Sequence, residues 1–147
     1  MKSLSVKLGV ILIGLAILGN AEVWGADWKY YGECDLSIHY YDSESISRPS
    51  KNIVIVWTKS FYSEKGKIRL KQIFTGGETP ISKSIDKVGY SLDLEEINCE
   101  SRMQRTLSTA YYSMEDKNID SYTGENPKWN FILLGSVMDS LHKAVCK

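Results

Sequence analysis

The sequence predicts an α+β domain in which about six antiparallel strands form a meander and one C-terminal helix lies across a face of the sheet. Three observations predict it. Apolar and aromatic residues alternate with polar ones at period two through most of the chain after residue 26. The patterned segments are joined by short polar or Gly-containing links that suit hairpins. Helical spacing with a start signal comes at the end, in Ser136 to Lys147.

The chain has 147 residues, a length expected of one domain. Its first 25 residues read as a secretory signal peptide. Lys2 and Lys7 make a charged start, Leu8 to Leu18 is apolar apart from Gly, and small residues follow. The expected cut is after Gly25, with Ala21 as the alternative. The apolar run is shorter than the roughly 20 residues of a membrane span. No transmembrane segment is therefore expected once the leader is removed, and residues 26–147 form the domain.

Asp27 to Glu33, rich in aromatics at Trp28, Tyr30 and Tyr31, reads as the first strand. Leu36 to Tyr41 reads as the second, with Leu36, Ile38 and Tyr40 alternating against Ser37, His39 and Tyr41. Asp42 to Ser50 is polar and contains Pro49, so it is expected to turn. Asn52 to Tyr62 is β-branched or aromatic almost throughout, the mark of a central strand buried on both faces.

Lys65 to Phe74 is ambiguous between strand and helix periods and is read as a short helix or irregular arm. Gly76-Gly77 and Pro80 then mark a loop. Val88 to Cys99 is a strand with Val88, Tyr90, Leu92 and Leu94 on one face and Gly89, Ser91, Asp93 and Glu95 on the other. Its alternation slips at Glu95-Glu96, where a β-bulge is expected.

Arg102 to Ser113 should complete the longest hairpin of the domain. Met114 to Asn126 is turn-rich with a short strand at 119–123. Lys128 to Leu134 is expected as the last strand, carrying Trp129, Phe131 and Leu133. The terminal helix opens with a capping-box-like Ser136-Val137-Met138-Asp139. Its apolar stripe is Val137, Met138, Leu141, Ala144 and Val145, with Asp139, Ser140, His142 and Lys143 on the other side.

Removing Lys2, Lys7 and Glu22 from the 18 basic and 18 acidic residues of the chain leaves 16 against 17. A near-neutral total argues against a nucleic-acid binder. Three cysteines remain, Cys34, Cys99 and Cys146, and an oxidising compartment permits disulfides. Of the three pairings, Cys99 with Cys146 is preferred because each ends a strongly patterned element. Cys34 is then the free thiol, incidental or available for an intermolecular bond. His39 and His142 are isolated and no Cys-x-x-Cys occurs, so no metal, cofactor or catalytic group is expected.

Lys65, Lys67, Arg69 and Lys71 form a cationic row able to grip an acidic partner, although such rows are often simply solvated. The acidic row Asp93, Glu95, Glu96 and Glu100 is expected to face solvent. Tyr30-Tyr31, Tyr40-Tyr41 and Tyr111-Tyr112 should each straddle the sheet, one ring in the core and one outward, where the outward rings offer an aromatic binding patch.

The ordered set Trp28-Lys29-Tyr30-Tyr31-Gly32, Tyr40-Tyr41-Asp42, Val54-Ile55-Val56-Trp57, Leu92 to Cys99, Ser108 to Tyr112, Trp129 and Val145-Cys146 resembles the surface-adhesin protein E family. The resemblance spans nearly all of residues 26–147. It implies a sheet of about six antiparallel strands with the C-terminal helix tied to it by a disulfide, which agrees with Cys99–Cys146. It also implies an exported, periplasmic or cell-surface, non-enzymatic binding module with a protein or acidic polysaccharide partner, and it allows a homodimer. The alternative is a periplasmic structural or inhibitory subunit acting through sheet-edge pairing. The lipid-attachment cysteine of the known adhesin has no counterpart here, and neither does Cys34 in the family.

Overall fold

The computed structural model describes residues 26–75 and 79–147. The expected signal peptide and the Gly76-Gly77 turn lie outside the described residues. Among the described residues there are eight strands: β1 Trp28–Glu33, β2 Ser37–Asp42, β3 Ser47–Ser50, β4 Ile53–Tyr62, β5 Val88–Asn98, β6 Met103–Ser113, β7 Asn118–Thr123 and β8 Asn130–Phe131. Three α-helices accompany them: α1 Glu64–Ile73, α2 Pro80–Lys83 and α3 Val137–Val145. The sheet order is β1-β2-β4-β5-β6-β7 with every pairing antiparallel, so the expected meander forms. Short β3 pairs with β4, and β8 pairs with β6, at the far end of the sheet.

All three helices lie on one face, and the core there is split in two. At one end Val54, Val56 and Ile97 of the sheet pack against Leu141 and Val145 of α3 and against Ile132. The Cys99–Cys146 disulfide closes this end, with Cα atoms 5.6 Å apart. At the other end Leu70 of α1, Ile81 of α2 and Ile85 enclose Val88 and Tyr111. A helix of nine residues is marginal alone, so α3 depends on its apolar stripe, its strap and its caps. Ser136 Oγ accepts from the Asp139 amide at 3.1 Å, and Arg48 Nη2 donates to the Val145 carbonyl at 2.7 Å.

Four sequence expectations are corrected. Asp139, assigned to the polar side of α3, is buried: it accepts from the Gly135 amide at 3.0 Å and pairs with Arg102 at 2.6 Å and Lys143 at 3.1 Å. Those partners hold its carboxyl far below the usual carboxylate range, Arg102 contributing most. The last strand shrinks to Asn130–Phe131 because Gly135, at φ +79°, and the loop before it set the chain turning towards α3. Its buried residue is Ile132, while Phe131 and Leu133 are exposed.

The bulge is also displaced. β5 runs in continuous register with β4 from Asn98 to Tyr90, so Asp93, Glu95 and Ile97 share one face. The extra residue lies in β6 at Leu107, between Ser108 opposite Leu94 and Thr106 opposite Glu95. The fourth correction is the acidic row. Asp93 and Glu95 point to the helix face between its two apolar clusters, not to solvent. Glu96 pairs with Arg105 at 2.7 Å, and only Glu100 is exposed, accepting from Asn52 at 2.6 Å.

Candidate functional site

The face away from the helices carries the aromatic patch. As expected, the Tyr pairs straddle the sheet: Tyr31, Tyr41 and Tyr111 pack on the helix side, and Tyr30, Tyr40 and Tyr112 on the open side. The open-side rings form a ladder across five strands. Tyr30 meets Tyr40 at 6.0 Å, Tyr40 meets Phe61 at 6.0 Å, Phe61 meets Tyr90 at 5.5 Å, and Tyr90 stacks on Tyr112 at 5.2 Å. Cross-strand aromatic neighbours at this spacing stabilise both the sheet and one another. Lys59 lies among them, its ammonium 4.2 Å from the Tyr90 ring centre and 5.3 Å from those of Trp28 and Phe61.

Beside the ladder is a hollow of about 220 Å³ lined by Trp28, Trp57, Tyr112, Leu92, Ala110 and Asp42. It exists because Ala110, opposite Leu92 in the register, is small where its neighbours are large. Its lining is mainly apolar, with the Asp42 carboxylate as the charged group. Asp42 Oδ1 accepts from the amides of Asp27 at 2.9 Å and Glu44 at 3.0 Å. Sequence reasoning identified the outward tyrosines but missed the hollow. The legible signal was the small residue at the middle of Ser108-Thr109-Ala110-Tyr111-Tyr112.

The cationic row falls on α1, so the helix reading of the arm holds. Successive members two apart on a helix are about 200° apart around the axis, which splits the row over two sides. Lys65 pairs with Asp35 at 2.7 Å, Lys67 with Glu64 at 3.2 Å, and Lys71 with Asp86 at 3.9 Å, while Arg69 donates to Gln72 at 3.4 Å. Lys67 also lines a broad polar hollow of about 640 Å³ together with Lys87 and Lys117.

Helix α1 is seated by Ser63, whose hydroxyl accepts from the Gly66 amide at 3.0 Å and donates to the Asp35 carbonyl at 2.6 Å. Cys34, in the same β1–β2 turn, is free and exposed. His39 is no partner for it: its ring nitrogens bond Ser37 at 2.9 Å and Ser60 at 2.8 Å. His142 Nε2 lies 3.0 Å from the Cys99 carbonyl and helps to hold α3 to the β5–β6 turn.

Between the two apolar clusters of the helix face runs a buried polar band. Asp93 accepts from Thr109 at 2.7 Å and Ser91 at 2.9 Å, and Tyr62 lies 2.9 Å from Ser91. Glu95 accepts from Thr106 at 3.0 and 3.1 Å. Burial raises the pKa of both carboxyls, and the neighbouring Asp93 charge helps to push Glu95 up to about 7. Neither pairs with a cation among the described residues; their protein partners are the hydroxyls of Thr109, Ser91 and Thr106. Among the described residues no group of three or more His, Cys, Asp or Glu could hold a metal ion, and no helix is long and apolar enough to cross a membrane.

The molecule is a small α+β domain, strapped by a disulfide, with one sheet face left uncovered by helices among the described residues. A model of the surface-adhesin protein E family matches residues 28–147, and the chain belongs to that family. Two solved structures of Haemophilus influenzae protein E align with the chain. Both are 13% identical at a TM-score of 0.46, and both align with 74% of this chain, covering 79% of one protein E chain and 76% of the other. No curated protein matches by sequence.

Proposed function

We propose that this chain is an exported binding module without catalytic function, processed near Gly25, that attaches to extracellular or envelope partners through its open aromatic face. The observation that carries this reading is the aromatic ladder with its hollow, a rigid and partly dehydrated surface on the side no helix covers. Aromatic anchors around a central depression are the usual makings of a protein-binding hot spot. Family membership supports an adhesive role. A protein partner would use this face, and an acidic polysaccharide would use the Lys65, Lys67, Arg69 and Lys71 helix with the adjoining hollow, where Lys67, Lys87 and Lys117 stand beside Asp86 and Glu115.

The test is binding of the processed chain to a panel of extracellular-matrix proteins and sulfated polysaccharides at physiological salt. Saturable binding weakened at least tenfold by Trp57→Ala is expected. Absence of saturable binding to every member of both panels would remove this reading.

A second reading has its own observation. Phe131, Leu133 and Leu134 are 74%, 71% and 81% exposed in and beside the edge strand β8. Exposed apolar residues at an open edge invite pairing with another chain, which fits a periplasmic structural or inhibitory subunit, or a homodimer. Sizing with and without reductant distinguishes the routes. A dimer lost on Phe131→Ser marks the edge, and one lost on Cys34→Ser marks the thiol. A monomer at all concentrations tested removes both.

A further inference from the structure

We propose that the hollow on the open face is a cage for the arginine side chain of a protein partner. The proposal rests on the binding-module reading above and names the chemistry of its recognition. Trp28, Trp57 and Tyr112 form aromatic walls, Leu92 and Ala110 an aliphatic floor, and Asp42 supplies the charge. Ring faces are electron-rich and attract a cation set over them, more so where water is excluded. A carboxylate beside them adds a directed partner for a planar guanidinium, which also stacks on rings.

Three further observations narrow the occupant. Asp42 makes no ion pair among the described residues, and its Oδ1 is occupied by backbone amides. A cation in the hollow would therefore complete the carboxylate without displacing a partner. The same sheet face already holds a cation by this chemistry: the Lys59 ammonium sits against Trp28, Phe61 and Tyr90, and Trp28 also walls the hollow. Lys59 does not line the hollow, and none of the side chains that line it, that of Ala26 included, is cationic.

Size separates a side chain from a whole small ligand. A hollow of about 220 Å³ lies below the roughly 300–1,000 Å³ of small-molecule pockets. Its wall Trp57 is 36% exposed and extends the contact surface to a polypeptide.

The experiment titrates the processed chain with N-acetyl-arginine methylamide and with its neutral isostere, N-acetyl-citrulline methylamide, following the indole signals of Trp28 and Trp57 by NMR. The arginine compound should shift both signals saturably, and citrulline should bind at least tenfold more weakly. Asp42→Asn keeps the Oδ1 acceptor and removes the charge, so it should weaken arginine binding at least tenfold. Ala110→Leu fills the floor and should abolish it. If Ala110→Leu fails to fold, Trp57→Leu at the partly exposed wall carries the same expectation.

No saturable shift, equal binding of arginine and citrulline, or arginine binding that survives the floor or wall substitution would each overturn the proposal. Matrix-protein binding is measured on the same variants. Wild-type binding that persists unchanged in Ala110→Leu would refute the cage and leave the adhesive reading standing. No matrix binding by any form would refute the adhesive reading.

Discussion

Glu95→Gln should stabilise the protein strongly at pH 8 and much less at pH 5. Glu95 is 6% exposed and its two oxygens share one hydroxyl donor, that of Thr106. Burial first, and the Asp93 charge second, raise its pKa from 4.5 to about 7. The folded protein therefore keeps a proton that the unfolded chain has released between those pH values. With more protons bound in the folded state, unfolding free energy falls as pH rises through this window. The stabilising contribution is complete below about pH 4.5 and is lost by the time pH passes about 7. At about 1.4 kcal/mol per pH unit the span amounts to roughly 3 kcal/mol.

Gln has nearly the shape of Glu and cannot ionise, so it escapes the loss. His39 contributes the opposite slope, because burial lowers its pKa. The informative quantity is therefore the difference between variant and wild type, in which the His39 contribution cancels. Urea unfolding followed by Trp fluorescence at pH 5, 6, 7 and 8 measures it. A gap that widens towards high pH, up to about 3 kcal/mol, is expected. A gap that stays constant across the four values, or a variant less stable than wild type at pH 8, refutes the burial argument.

Replacing Cys99 and Cys146 together by Ala removes a link across 47 residues, and the chain-entropy model sets the loss at about 4 kcal/mol. Wild type with and without reductant should show the same drop in urea midpoint. Leu141→Ala, at a fully buried position of α3, should cost about 2–5 kcal/mol in the same assay. Gly66→Ala tests the seating of α1. In an open helix it would gain roughly 1 kcal/mol from propensity, but a Cβ there would overlap the Leu36 carbonyl. The variant should therefore unfold at lower urea than wild type, and a gain in stability would disprove the contact.

The strands were legible where burial and alternation agree. β4 holds the central position its β-branched run predicts, but only its helix face is buried, at Val54, Val56, Thr58 and Ser60, while Trp57 on the open face is exposed; β5 with β6 makes the longest hairpin as their patterns require. The tyrosine doublets were legible for the same reason, since neighbours on a strand must point opposite ways. Charge was the poorer guide. Asp93, Glu95 and Asp139 look like surface residues in sequence because their partners are distant: Thr109 and Thr106 across the hairpin, and Arg102 37 residues before Asp139. The Lys65 to Lys71 row reads as one cationic edge at strand period. The helix that Ser63 caps sends alternate members to opposite sides, where carboxylates from the β1–β2 turn and the Ile85–Lys87 turn meet two of them. The hollow was hidden because it depends on which residues stand opposite Ala110, and register is not written in any one strand.

The open face explains how a sheet side without a helix can still be dry. Tyr90 and Leu92 are almost fully buried there although no helix lies over them. Their cover comes from the same surface: Tyr112 lies flat on Tyr90 with the ring planes 9° apart, and Lys59 lies over Tyr90 as well as Trp28 and Phe61. Side chains that shield one another in this way have already lost rotamer freedom in the unbound protein. Binding then demands little further ordering, which is the cost that most reduces affinity at flexible surfaces. The helix face uses its space for stability, with two apolar clusters, a disulfide and a largely buried polar band between the clusters. The division explains why the aromatic side can stay exposed without threatening the fold: the stabilising contacts of α3 and the strap lie on the other face, and a partner can occupy the hollow without touching them.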